Sequence, residues 1–162
     1  TVPAGVRDEL RRRRVLSTRL ALFERVQPGT WPRQSFAGVT THDLPNMAGI
    51  GSGADLHDQS ASGLTPHPAG LALLRSRLTR AAGAGAHAPL AEVVERVHRR
   101  LAAAPPMLIA ATLEDALQVT ERPNMPGTVP PHRDNWSLAL PNPIEALSED
   151  ARVRSTVAAL RR

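Results

Sequence analysis

The chain contains Phe36-Ala-Gly-Val-Thr-Thr-His42-Asp43-Leu-Pro45, a short apolar run that ends in an imidazole beside a carboxylate. The β-branched residues before His42 predict a buried strand over 36–41, and Pro45 prevents its continuation. His42 and Asp43 are therefore expected at the carboxyl end of a strand, where parallel α/β folds build their active sites. An isolated His-Asp pair is more often only a hydrogen-bonded turn, so the rest of the chain has to decide between the two interpretations.

Two further apolar runs, residues 15–23 and 107–113, also predict buried strands. Residues 68–82 and 89–104 carry apolar side chains at three- and four-residue spacing, which is typical of amphipathic helices. This alternation of strands and helices predicts right-handed β-α-β units and a parallel sheet. Three strands are too few to close a barrel, because closure around a filled interior takes about eight.

Helices are also predicted near both ends of the chain. Residues 3–14 begin with a proline that suits a first helical turn, and residues 144–160 predict a closing helix with Ser148 as its N-cap. Residues 44–53 contain three glycines and are expected to be loop-like, and residues 124–135 predict a long proline-rich loop.

Composition indicates one domain-sized unit with no disulfides and no membrane-spanning stretch. At 162 residues with 41% hydrophobic content, the chain is large enough for one core, and residues 1–162 show no internal domain boundary. The sequence has no Cys, which excludes disulfides and thiolate metal sites and is compatible with the cytoplasm, where we expect the protein to act. No apolar stretch approaches membrane-spanning length, and the first residues lack the pattern of a signal peptide, so we expect no membrane partner.

The basic charge is a weak indication of nucleic-acid binding. The net charge is +5, and all 20 basic residues are Arg, with four in a row at 11–14. The arginines are otherwise scattered, and only two Phe, two Trp and no Tyr are available to stack on bases. We therefore expect no nucleic-acid partner, although this basic-binder interpretation stays open on charge alone.

Three segments of the second half are informative together: Leu113-Glu114-Asp115-Ala-Leu117, Arg122-Pro-Asn124-Met-Pro126-Gly127-Thr128 and Asn135-Trp136. With Thr40-Thr-His42-Asp43-Leu-Pro45, in this order and spacing, they resemble the carboxyl-terminal part of the 4-α-glucanotransferases. These are the amylomaltases or disproportionating enzymes of bacterial glycogen and maltodextrin metabolism. The resemblance covers essentially the whole chain.

The resemblance implies a fold and a reaction. The chain would form the sixth to eighth strands of a (β/α)8 TIM barrel, an incomplete α/β unit. The enzyme would transfer α-1,4-glucan segments to glucose or maltodextrin acceptors by a retaining double displacement, without a cofactor. Asp43 matches the family's third carboxylate, which binds sugar hydroxyls at the reacting subsite, and His42 matches the histidine that contacts the same glucose.

The resemblance also implies that two catalytic groups lie elsewhere. The family's nucleophile and its acid/base glutamate come from earlier strands, and the glutamate precedes a segment similar to Thr1-Val2-Pro3. We therefore expect a carboxyl-terminal piece from a truncated, split or incompletely assembled gene, which is inactive alone and is completed by the amino-terminal part of the barrel. The alternative is a non-catalytic remnant or an accessory carbohydrate-binding module.

Further residues are interpreted beside this resemblance. The amide of Asn124 would bridge sugar hydroxyls, and Gly127 would serve its turn. Trp136 is either a sugar platform or a plug under the loop, and we favour the plug. Glu114 and Asp115 are expected at a strand end, where adjacent side chains point to opposite faces, so that one caps the following turn and the other is solvated.

The remaining acidic residues and histidines give no metal-site pattern. Asp55 and Asp58 are interpreted as loop or helix-start groups. The other histidines lack the spacing of a metal site, so we predict no metal; they are His57, His67, His87, His98 and His132.

Overall fold

The computed structural model describes residues 2–162, so Thr1, the first residue of the Thr-Val-Pro comparison, lies outside the described residues. Within 2–162 the chain forms three strands, seven α-helices and two short 3-10 helices. The strands are β1 (Ser17–Leu20), β2 (Ser35–Gly38) and β3 (Leu108–Ile109). The α-helices are α1 (Val6–Arg12), α2 (Met47–Ser52), α3 (Ala54–Ala61), α4 (Pro68–Ala82), α5 (Leu90–Ala102), α6 (Leu113–Ala116) and α7 (Ala151–Ala159). The 3-10 helices are Pro28–Thr30 and Ile144–Ala146.

The strands form one parallel sheet, as the sequence predicts, and their order in it is β1-β2-β3. Phe36 pairs in register with Thr18 on one side and Leu108 on the other, so these three side chains share a face of the sheet. Phe36 and Leu108 are 37% and 54% exposed on that face. Ala37, on the opposite face, is fully buried. Among residues 2–162, helices therefore cover one face of the sheet and leave the other open.

Helices α4 and α5 pack against each other, and α5 also contacts α2 and α7. Both helices are confirmed close to their predicted bounds, because their apolar spacing gives each a continuous buried stripe. In α5 this stripe consists of Val93, Val94, Val97 and Leu101. Among the described residues, no helix is both long enough and apolar enough to cross a membrane.

The segment expected to be loop-like over 44–53 contains helix α2, so that prediction was wrong. A Cβ atom at Gly49 would lie 2.5 Å from the backbone oxygen of Thr120. The glycine therefore permits close approach between α2 and the segment that follows α6, and it is not a sign of a loop. Helix propensity does not predict α2, because glycine has a low propensity for helices.

The expected cap and strand end in the second half were also wrong. Glu114 and Asp115 lie in helix α6, not at a strand end, because the Thr112 side chain accepts the N–H of Asp115 and begins a helical turn. Helix α7 begins after Asp150, whose carboxylate accepts the N–H groups of Arg152 and Val153, so Ser148 is not its cap. The first helix begins at Val6, three residues later than predicted.

Candidate active site

His42 and Asp43 lie in a turn beyond the carboxyl end of β2. The strand ends at Gly38, and the turn is closed by a 3.0 Å hydrogen bond from the Leu44 N–H to the Thr41 carbonyl. The His42 Nε2 atom is 3.4 Å from the Asp43 Oδ1 atom, and both side chains are about half exposed. The pair therefore lies in a hydrogen-bonded turn beyond the carboxyl end of the strand, and the role of the two residues in a site stays a prediction.

Asn124 lies beside Asp43, although it is 81 residues later in the sequence. Its Nδ2 atom donates to Asp43 Oδ1 at 2.6 Å. The structure therefore brings together the three residues predicted for the site, His42, Asp43 and Asn124. An amide that donates to one carboxylate oxygen leaves the other oxygen of Asp43 available to a sugar hydroxyl.

The Trp136 ring contacts the His42 ring and is exposed to solvent. The ring centroids are 5.0 Å apart with a 52° angle between the ring planes, and Trp136 is 63% exposed. Its backbone has φ of 67° and donates to the Pro123 carbonyl at 2.8 Å. An exposed indole does not fill space beneath a loop, so the preference for a plug was wrong.

The loop that carries Asn124 is held by its own polar side chains. Asn135 accepts the N–H of Met125 at 2.9 Å and donates to the Thr128 carbonyl at 3.1 Å. Gly127 has φ of 89°, a left-handed conformation that favours glycine, and so serves the turn as predicted. These bonds fix the loop without using Asn124, which remains directed at Asp43.

Arg122 is a site residue that the motif comparison did not single out. Its Nη1 atom donates to the backbone carbonyl of Asp43 at 3.1 Å, and its Nη2 atom pairs with Asp55. Asp55 and Asp58 lie in α3, where they pair with Arg122 and Arg133 respectively. Their expected place at a helix start is confirmed for Asp55, which lies in the first turn of α3.

A cavity of about 450 Å³ lies beside these residues, at the carboxyl ends of β2 and β3. Its wall includes His42 and Trp136 at the mouth and Asp115 and His98 at depth. His98 is fully buried, and its Nδ1 atom is 2.8 Å from the Val94 carbonyl, so Nδ1 carries the proton. Burial lowers the pKa of His98, which keeps the ring neutral.

Asp115 is buried and caps another helix. Its Oδ1 atom accepts the N–H of Met47, the first residue of α2, at 2.8 Å. Burial raises its pKa to about 6, against hydrogen bonds from Met47 and Thr112 that lower it, while the charge of Glu114 adds to the rise. The expectation that one acidic residue caps its own turn was therefore wrong, because Asp115 caps a helix 68 residues earlier in the chain.

Within residues 2–162, no group of three His, Asp or Glu side chains is arranged to hold a metal ion. The polar groups of the site are thus a carboxylate, an amide and an imidazole beside an aromatic ring. Carboxylates and amides that accept and donate around an exposed aromatic face are typical of sugar binding, since sugars offer hydroxyl edges and apolar ring faces.

Comparison of the sequence with known proteins gives a family profile and curated relatives of the same description. A profile of the family described as 4-alpha-glucanotransferase matches residues 1–144. The 4-alpha-glucanotransferases of Mycobacterium bovis and of Mycobacterium tuberculosis H37Rv are each 30% identical to this chain over 188 aligned positions. Each alignment takes in 99% of this chain and 26% of the relative. The chain therefore spans about a quarter of the length of the curated relatives it matches, in their carboxyl-terminal portion.

Solved structures match the fold. The amylomaltase of Corynebacterium glutamicum superposes with a TM-score of 0.85 at 25% identity, over 100% of this chain and 28% of that one. An amylomaltase from Streptococcus agalactiae, solved with acarbose, gives a TM-score of 0.66 at 16% identity, over 98% of this chain and 29% of that one. The predicted fold class, three parallel strands from the carboxyl-terminal part of a TIM barrel, is confirmed.

Proposed function

The chain belongs to the 4-alpha-glucanotransferase family, and we propose that residues 1–162 form the carboxyl-terminal segment of a catalytic barrel that transfers α-1,4-glucan segments to glucose or maltodextrin acceptors. The observation that carries the proposal is the meeting of His42, Asp43 and Asn124 at the carboxyl end of a parallel strand. Active sites of α/β barrels are built at this end.

Each of these side chains has a role in the proposed reaction. In a retaining double displacement, one carboxylate attacks the anomeric carbon and a second protonates the leaving oxygen. Asp43 is neither, but it binds sugar hydroxyls whose hydrogen bonds strengthen as the ring distorts toward an oxocarbenium ion. Asn124 orients the Asp43 carboxylate and binds sugar hydroxyls, and His42 contacts the same glucose. Trp136, beside His42, offers an apolar face to a sugar ring. We propose no cofactor, because carboxylates supply the nucleophile and the proton.

The nucleophile and acid/base would come from the part of the barrel that corresponds to the other three quarters of the relatives. The open sheet face formed by Thr18, Phe36 and Leu108 is where the inward side chains of further barrel strands would pack. We therefore propose this part of the barrel as the partner of the chain. We also propose cytoplasmic α-1,4-glucans such as maltodextrins as its substrates.

A second function is compatible with the same site. A half-exposed carboxylate beside an exposed indole binds sugars without turning them over, so an accessory carbohydrate-binding role is the alternative. The two functions differ in what happens when the barrel is completed.

The test joins the chain to the non-overlapping amino-terminal part of the Corynebacterium glutamicum amylomaltase, a product we call the joined enzyme. With maltotriose we expect the joined enzyme to release glucose and longer maltodextrins, and we expect the chain alone to release neither. Transfer by the chain alone would contradict the proposal. A folded joined enzyme that binds maltotriose without transfer would favour the accessory role.

A further inference from the structure

We propose that Arg122, fixed by the buried carboxylate of Asp55, is a positioning residue that sets where Asp43 lies in the proposed glucan site. The inference rests on the proposed function, which makes Asp43 a catalytic residue. It concerns a pair of residues that are 67 positions apart and do not themselves line the cavity.

Arg122 and Asp55 form a buried ion pair. Asp55 is 2% exposed and Arg122 is 8% exposed. The Arg122 Nη2 atom lies 3.0 Å from Asp55 Oδ1 and 3.2 Å from Oδ2, and Gln59 donates to Oδ2 at 2.6 Å. A charged pair with this burial and with its oxygens occupied is fixed in orientation, because each alternative geometry leaves a buried charge unpaired.

The Arg122 guanidinium connects the Asp55 carboxylate to Asp43. The group is planar, so fixing Nη2 on Asp55 also fixes the direction of Nη1. Nη1 donates to the Asp43 carbonyl at 3.1 Å, while Asn124, two residues after Arg122, donates to the Asp43 carboxylate at 2.6 Å. One three-residue segment therefore holds both the backbone and the side chain of Asp43.

Helix α3 also supports the segment that carries Arg122 through a second ion pair. Asp58 lies one turn after Asp55 and pairs with Arg133, and Arg133 donates to the Arg122 carbonyl at 2.7 Å. Two carboxylates on one face of α3 thus fix two arginines of the loop. This arrangement orients Asp43 from a rigid element, as preorganised sites require.

The test uses Arg122→Lys and Asp55→Glu, which keep the charges of the buried pair and so avoid an unpaired buried ion. A lysine ammonium cannot bridge Asp55 and the Asp43 carbonyl in the geometry of the guanidinium fork. The matched control is Asp150→Ala, which removes the cap of α7 and none of the hydrogen bonds to Asp43, and is expected to lower thermal stability without affecting Asp43.

Nuclear magnetic resonance of the full 1–162 chain gives the first readout. In Arg122→Lys and Asp55→Glu we expect the backbone amides of residues 42–44 and the side-chain amide of Asn124 to shift and broaden. In Asp150→Ala we expect them to stay in place. Unchanged signals in both site variants would overturn the proposal. Collapse of the whole spectrum in both would also overturn it, since the pair would then hold the entire fold and not the Asp43 turn.

Steady-state kinetics of the joined enzyme on maltotriose give the second readout. We expect Arg122→Lys to lower kcat by about tenfold to a hundredfold with little change in KM, because misplacement of a catalytic group by about 1 Å has this effect. Normal kcat would overturn the proposal. If the unmutated joined enzyme shows no transfer, the proposed function fails, and the amide signals of the chain still decide whether Arg122 positions Asp43.

Discussion

At the scale of single residues, the site depends on polar contacts between distant parts of the sequence. Asp43 is held by Asn124 and Arg122, and Asp115 holds the start of α2. Each contact joins segments that are roughly 70 to 80 residues apart. The position of the candidate catalytic carboxylate therefore depends on tertiary packing as well as on its own turn.

Asp115 makes stability depend on pH. Its pKa is about 6 in the folded chain against a usual 3.8, so between these values the folded state holds a proton that the unfolded state has lost. The stability contributed by this group is fully present below 3.8 and is lost as pH rises through about 6. From the size of the shift, the loss amounts to about 3 kcal/mol at neutral pH.

Asp115→Asn should remove this loss, because an asparagine oxygen still accepts the Met47 N–H without carrying a charge. Urea unfolding at about pH 4 and about pH 7.5 measures the free energy of unfolding of both chains. The stability of the unmutated chain relative to the variant should increase as pH falls. Subtraction cancels other titrating groups such as His98. Parallel stabilities of the two chains across this range would show that Asp115 is not protonated in the folded state.

The sequence predicts His42, Asp43 and Asn124 as site residues because they belong to local motifs at a strand end and in a loop. It does not reveal Arg122 as their support, because the pairing with Asp55 depends on how α3 meets the loop. The exposure of Trp136 was likewise missed, since burial of an aromatic residue is decided by its neighbours and not by its type.

At the scale of elements, apolar periodicity was sufficient to predict the long helices, whereas the identity of single residues such as glycine was misleading. Helices α4 and α5 follow from their apolar stripes, and the three strands follow from their apolar runs. Helix α2 did not, because Gly49 permits a close approach to Thr120 and does not mark a turn. The end of β2 was predicted too late because Val39 and Thr40 stay buried beyond the last strand residue, Gly38.

Two glycines of α2 should respond oppositely to the same substitution. Gly51→Ala places its Cβ at an ordinary 3.5 Å from the Leu90 side chain, so it should stabilise the chain by about 0.5–1 kcal/mol through helix propensity. Gly49→Ala places its Cβ 2.5 Å from the Thr120 backbone oxygen and should destabilise by about 1–3 kcal/mol through overpacking. Chemical denaturation measures both, and equal effects of the two would show that α2 does not approach Thr120 so closely.

At the scale of the whole molecule, the surface is larger than that of a compact protein of equal mass. The chain exposes 9583 Å² at 17.4 kDa, whereas a compact monomer of this mass exposes about 7,900 Å². Part of this excess is the open sheet face with Phe36 and Leu108. This surface supports the proposal that the chain acts within a larger barrel.

The central claim is that the chain supplies Asp43 as the transition-state carboxylate of a glucanotransferase site. The most direct measurement compares kcat and KM on maltotriose for the joined enzyme and its Asp43→Asn variant, with Asp115→Asn as the control. We expect Asp43→Asn to lower kcat about a hundredfold or more with KM changed only a few-fold, because the lost contacts are strongest in the transition state. Asp115→Asn should stay near normal, because the asparagine oxygen still accepts the Met47 N–H and Asp115 makes no hydrogen bond to Asp43. A near-normal kcat in Asp43→Asn, or equal damage from Asp115→Asn, would contradict the account.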